Sequence, residues 1–115
     1  MATDTIPVRS ANGLDVYLAE VRRLPPPSAA EEARLLRRIG LGDSAALDEL
    51  AVRNLGLVAD IVVRDHADHD SIVARLDRGN QALLEAIASF PSSGHRDFRA
   101  YVRSHIQRTM RRASA

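Results

Sequence analysis

The chain reads as an all-α protein, a compact bundle of about five helices. Three observations predict it. Apolar residues recur at the three-to-four spacing of a helix in five successive segments. No stretch alternates apolar and polar residues as a half-buried strand does. Proline-containing stretches and capping residues mark the boundaries between the periodic segments. The 115 residues suit a single domain with a core that needs no cross-links. Cysteine is absent, which excludes disulfides and thiolate metal sites. No apolar run approaches the roughly 20 residues of a membrane span, and a cytoplasmic location is the default expectation.

Residues 1–13 contain Pro7 and Asn12-Gly13 and are expected to be a flexible N-terminal segment, leaving 14–115 as the domain. Leu14, Tyr17, Leu18, Val21 and Leu24 mark a first helix over 14–24, which Pro25-Pro26-Pro27 stops. Ser28 and Glu31 form a capping-box pattern opening a second helix over 29–40. Gly40 and Gly42 end it, and Asp43 is a natural N-cap for the next. Leu47, Leu50, Ala51, Leu57, Val58, Ile61 and Val62 predict one long third helix over 44–65. Ile72, Leu76, Leu83, Leu84, Ile87 and Phe90 predict a fourth over 72–90, with Gly79 an anomaly in its middle. Phe98, Tyr101, Val102, Ile106 and Met110 give the apolar face of a fifth over 96–112. The expected core comprises Leu50, Leu57, Val58, Ile61, Leu83, Ile87, Phe98 and Ile106.

The charge distribution is more informative than the net +1. Every basic residue is arginine. From Arg96 onward six arginines face Asp97 alone, whereas the preceding part of the chain is net acidic. Such asymmetry fits either an anionic partner for the last helix or a solvated face. Arg99 with Arg103, and Arg108 with Arg112, lie one turn apart and can grip phosphates. Asp65, His66, Asp68, His69 and Asp70 offer metal-ligating groups at close spacing, but an isolated His-x-x-His is read as a polar inter-helix loop, and no metal site is assigned. Ser28 and Ser44 have no paired base, and no glycine-rich phosphate loop is present. No catalytic constellation or cofactor site emerges, so an enzyme is not expected.

Several fragments, read in order, resemble regions 1.2 and 2 of the bacterial sigma-70 family of transcription initiation factors. Val16-Tyr17-Leu18-Ala19-Glu20-Val21 is similar to the family's Tyr-Leu-x-Glu-Ile segment. Ala30-Glu31-Glu32, Arg38-Ile39, Gly42-Asp43 and Ala45-Ala46 follow its pattern. Asn54-Leu55-Gly56-Leu57-Val58 resembles its Asn-Leu-Arg-Leu-Val core, and Gly79-Asn80, Leu83, Ala86 and Phe90 continue the register. Phe98 and Tyr101 stand where the family has a Phe-Ser-Thr-Tyr run, with Ile106 and Arg112 following. The resemblance implies a polymerase-facing surface at Leu76, Asp77, Arg78 and Asn80, docking on the clamp coiled coil of RNA polymerase core. It also implies a weak promoter or single-stranded DNA surface at Arg96, Phe98, Arg99, Tyr101, Arg103, Arg108, Arg111 and Arg112.

The departures fall on those surfaces. An acid of the family is Ala74 here, and a glutamate is Arg78, reversing its charge. The tryptophan pair beside the base-capturing tyrosine is replaced by Ser104 and His105, in a chain that is only 3% aromatic. Two polar promoter-reading positions are Arg108 and Arg111. Two functions are therefore expected as alternatives. One is a sigma-like transcription initiation protein; the other is a sigma mimic that binds an anti-sigma factor or another regulator without recognising promoters.

Overall fold

The helix expected over 44–65 is two helices, and the break between them shapes the bundle. The computed structural model describes residues 11–65 and 71–114. Among these, the α-helices are α1 (Ala11–Arg23), α2 (Ala29–Gly40), α3 (Ser44–Val52), α4 (Leu55–Asp65), α5 (Ile72–Ser89) and α6 (Phe98–Ser114), with a 3₁₀ turn over Phe90–Ser92. No strand occurs among the described residues. His66, Asp68, His69 and Asp70 lie outside them.

Asn54 makes the break without orphaning the backbone. Its main-chain N–H turns back to Ala51 O at 3.0 Å, forsaking the i−4 carbonyl of a continuing helix. Its side-chain Nδ2 donates to that carbonyl, Leu50 O, at 2.8 Å. The carbonyl of Asn54 then accepts from the N–H groups of Leu57 and Val58, starting α4. A buried asparagine thus supplies the hydrogen bond that the bend removes, which the low exposure of the site demands. The apolar stripe runs through the break, so periodicity alone predicted a single rod.

The other boundaries follow local chemistry. Ser28 Oγ accepts from Glu31 N at 3.2 Å, and Glu31 Oε1 accepts from Ser28 N at 2.9 Å. This reciprocal cap starts α2. Arg53 also donates to Glu31 at 3.2 Å, tying the α3–α4 break to the start of α2. The Ser28 backbone bond, then Arg53, holds the Glu31 carboxyl below the usual carboxylate range. Asp43 caps α3 through Ala45 N and Ala46 N, and pairs with Arg38 at 2.8 Å. At the N-terminal end, α1 starts at Ala11, three residues before the expected helix start at residue 14. Gly13 is already buried.

The elements pack around α5, which lies most extensively against α6 and then α4, with α3 also in contact. Its inner face is Leu76, Gly79, Ala82, Leu83, Ala86 and Ile87. From α6, Phe98, Val102, Ile106 and Met110 enter the core at four-residue spacing. From α4 come Val58, Ala59, Ile61 and Val62. Gly79 is not a flaw in α5. A Cβ there would lie 2.7 Å from Val58 Cγ1 and 3.3 Å from Val62 Cγ2. Those β-branched side chains have little freedom to retreat, so the close approach of α4 and α5 requires a bare backbone at residue 79.

Seven of the eight expected core residues are buried. Leu57 is the exception. It is half-buried because the bend at Asn54 rotates the first turn of α4, leaving Leu57 at the edge of a cleft. Leu50→Ala, which empties a fully enclosed site, is expected to lower unfolding free energy by about 2–5 kcal/mol. Leu57→Ala is expected to cost clearly less, because solvent and relaxation partly fill its space. Urea denaturation of the two variants measures the difference.

Candidate nucleic-acid and partner interfaces

Asp97 sets the start of α6. Its Oδ1 accepts from Ala100 N at 3.1 Å, and its carbonyl accepts from Tyr101 N at 3.0 Å. A helix turns about 100° per residue, so the four buried α6 positions at four-residue spacing leave a broad arc for the arginines. Arg96 is exposed just before the helix, and Arg99, Arg103, Arg108, Arg111 and Arg112 are exposed along it. These arginines do not form one stripe. Arg99 and Arg103 line a cleft against α1 and α4. Arg108 lines a different cleft, of about 410 Å³, together with Tyr101, His95 and Ser104. Tyr101 and Arg108 are seven residues apart and share a face, which points roughly opposite to that of Arg103.

Arg99 is partly committed inside the bundle. Its Nη2 donates to Pro27 O at 3.4 Å, and its Nε lies 3.9 Å from Glu32 Oε2. The end of the proline-rich linker is thereby held against α6. Burial pushes the Glu32 carboxyl above its usual range; Arg99 opposes this and Asp97 adds to it. No sequence pattern indicated this role for Arg99, because its partners are 72 and 67 residues away in the chain.

The tyrosine is anchored. Its hydroxyl lies 2.7 Å from Ser89 Oγ, and its ring meets Phe90 edge-on at 5.3 Å between centroids. Phe90 makes the same kind of contact with Phe98, also at 5.3 Å. The His95 ring, 5.0 Å away, lies against the tyrosine from the α6 entry loop. His105, one turn on, is 3.7 Å from Glu85. Tyr101 remains half-buried, with part of its ring in the cleft. Phe98 is only 2% exposed and offers no surface for a base. Its place in the expected DNA-contact set is corrected to that of a core residue.

On α5, Asp77 and Arg78 point to solvent. Leu76 is 2% exposed, so its expected role as a contact residue is corrected to packing. Asn80 is half-buried, and its Nδ2 donates to Tyr17 Oη at 3.2 Å, linking α5 to α1. Arg75, outside every expected contact set, is 2% exposed. Its i, i+4 relation to Gly79 puts it on the inner face.

The final helix is rich in exposed arginines, and Asp77 and Arg78 face solvent on α5. No protein-family model matches the chain. It is, however, 33% identical over 100 residues to the RNA polymerase sigma factor SigA of Bacillus sp., covering 87% of this chain. It is 33% identical over 107 residues to the RNA polymerase sigma factor RpoS of Coxiella burnetii, covering 91% of it. The chain spans 26% and 30% of the length of these two curated relatives. It is therefore similar to a segment of a sigma factor, as the fragments between Val16 and Arg112 imply.

Tyr101→Phe removes one hydrogen bond and leaves the Ser89 hydroxyl its existing donation to Ala86 O. The expected cost is about 0.5–1.5 kcal/mol in thermal or urea unfolding. Tyr101→Ala, which also removes the ring from Phe90, is expected to cost more.

Proposed function

We propose that the chain is a sigma-like transcription protein that engages RNA polymerase core through the outer face of α5 and DNA through α6. Similarity to two sigma factors along nearly the whole chain carries this reading. The geometry is compatible with it. Asp77 and Arg78 are solvent-facing on a rigid helix whose inner face is fully packed. Arg96, Arg103, Arg108, Arg111 and Arg112 remain exposed for phosphate contact, while Arg99 is partly committed to Glu32 and Pro27. Tyr101 is the candidate for an unstacked base, and Asn80 supports the α5 surface from within.

A second reading is favoured by one observation. Tyr101 is held by Ser89 and Phe90, and the residues beside it are Ser104 and His105, so a base has one partly covered ring to stack on. Stacking is worth roughly 1–3 kcal/mol per base when a platform is available. A chain with so little of that platform fits a sigma mimic that binds an anti-sigma factor or another regulator.

Two measurements separate the readings. If Arg78 faces an unsuited polymerase surface, Arg78→Glu strengthens binding to a standard purified core enzyme, by about 1–3 kcal/mol in calorimetry. Unchanged or weaker binding removes Arg78 from that contact. With single-stranded and duplex promoter probes, three or four phosphate contacts give a log–log salt slope of roughly −2 to −4. Arg103→Ala and Arg108→Ala each flatten it by about 0.7–0.9. No binding at low salt, with capture of a purified anti-sigma factor, selects the mimic.

A further inference from the structure

The cleft between α1, α4 and α6 is distinct from the Asp77–Arg78 face of α5, which contributes nothing to its lining. Its walls combine two chemistries. Leu24, Leu57, Val21 and Pro26 supply aliphatic surface. Leu24 is 41% exposed, and Leu57 is the leucine that the Asn54 bend turns out of the core. Gly56 deepens the floor, because α1 and α4 come together there: a Cβ at residue 56 would be 3.2 Å from Val21 O. Around this patch stand Arg22, Arg53, Arg99 and Arg103. Asp60 is the single acid of the lining and is already paired with Arg22 at 3.1 Å. Arg53 and Arg99 are steadied by Glu31 and by the linker carbonyls of Pro25 and Pro27. Arg103 is exposed and has no ion pair among the described residues.

We propose that this cleft docks an acidic segment of a partner protein, which seats an aliphatic side chain between Leu24 and Leu57 and sets its carboxylates against Arg103 and the neighbouring arginines. Three features select that occupant. The volume of about 260 Å³ is small for a drug-sized ligand but suits one anchoring side chain. The lining contains no aromatic residue, so an extruded nucleobase finds no stacking platform. The arginine rim around aliphatic surface is complementary to an acidic amphipathic helix, whose apolar anchors and flanking carboxylates recur on one face. This docking goes beyond the polymerase and DNA reading, and it shares Arg103 with the proposed phosphate contacts of α6.

The test uses the full chain and a short fluorescein-labelled peptide with glutamate and leucine at helical spacing, followed by fluorescence anisotropy. The peptide is expected to bind saturably and to shift the amide resonances of Leu24, Gly56, Leu57 and Arg103. Arg103→Glu is expected to weaken it by about tenfold or more, as reversing a facing charge does. Leu24→Ser, at a position already open to solvent, is expected to weaken it while the circular dichroism stays helical. Arg34→Glu, the same charge change on the exposed side of α2, is expected to leave affinity unchanged. The proposal is overturned by absence of binding, or by an equal loss in Arg34→Glu. Equal affinity for a leucine-free acidic peptide, or displacement of the probe by oligothymidylate at lower concentration, overturns it as well. Binding of Arg103→Glu to polymerase core, measured in parallel, tests the α5 surface, and DNA binding of Arg108→Ala, outside this cleft, tests the α6 phosphate contacts, so failure of either reading is told apart from failure of the docking.

Discussion

The contact of α5 with α4 at Gly79 is the constraint on which the rest of the bundle depends. Gly79 is fully enclosed by Val58 and Val62, with the end of Met110 from α6 also within 4 Å of where a Cβ would stand. Three helices therefore converge on one missing side chain. A glycine inside a helix costs about 1 kcal/mol against alanine, and an isolated α5 would be better without it. The gain is tertiary. Bringing the helices close lets Leu76, Leu83 and Ile87 fill the space beside Val58 and Ile106, all of them at or near zero exposure. Close-packed interiors do not deform continuously, so the position of α6, and with it the exposed arginines, is set by how deeply α5 sits.

The bend at Asn54 does complementary work at the other end of α4. By ending α3 at Val52, it lets α3 pack back on α2 while α4 turns to meet α1 and α6. The same bend brings Arg53 to Glu31 and exposes part of Leu57, so one asparagine accounts for a boundary, an ion pair and a cleft. The exposed ion pairs that decorate these junctions, such as Arg22 with Asp60, are each worth little, about 0–1 kcal/mol. Packing, more than these ion pairs, sets the architecture.

Much of this was legible in the sequence because it is local. The Ser28–Glu31 cap, the Asp43 cap and the four-residue spacing of Phe98, Val102, Ile106 and Met110 each involve residues within a few turns of one another. The likeness to sigma factors was legible in the same way, through short fragments in a shared order. The misses are non-local. An apolar stripe that runs on through Asn54 concealed the break, since periodicity does not register where a side chain replaces a backbone donor. The spacing of Arg99 and Arg103 groups Arg99 with phosphate-gripping residues, yet Arg99 reaches Pro27 and Glu32 across the bundle. The resemblance puts Phe98 and Leu76 at contact surfaces, whereas their spacing with Val102 and Gly79 puts them on the inner faces, where both are buried.

α4 and α5 meet at a distance only glycine permits, and a double-mutant cycle at residues 58 and 79 reads that contact in isolation. Gly79→Ala alone is expected to destabilise the chain by about 1–3 kcal/mol despite alanine's better helix propensity, because Val58 Cγ1 has to be displaced. In a Val58→Ala background the obstructing methyl is gone, and the added cost of Gly79→Ala is expected to shrink or vanish, giving a clear favourable coupling. Strictly additive effects, or a Gly79→Ala variant more stable than the parent, would contradict the account.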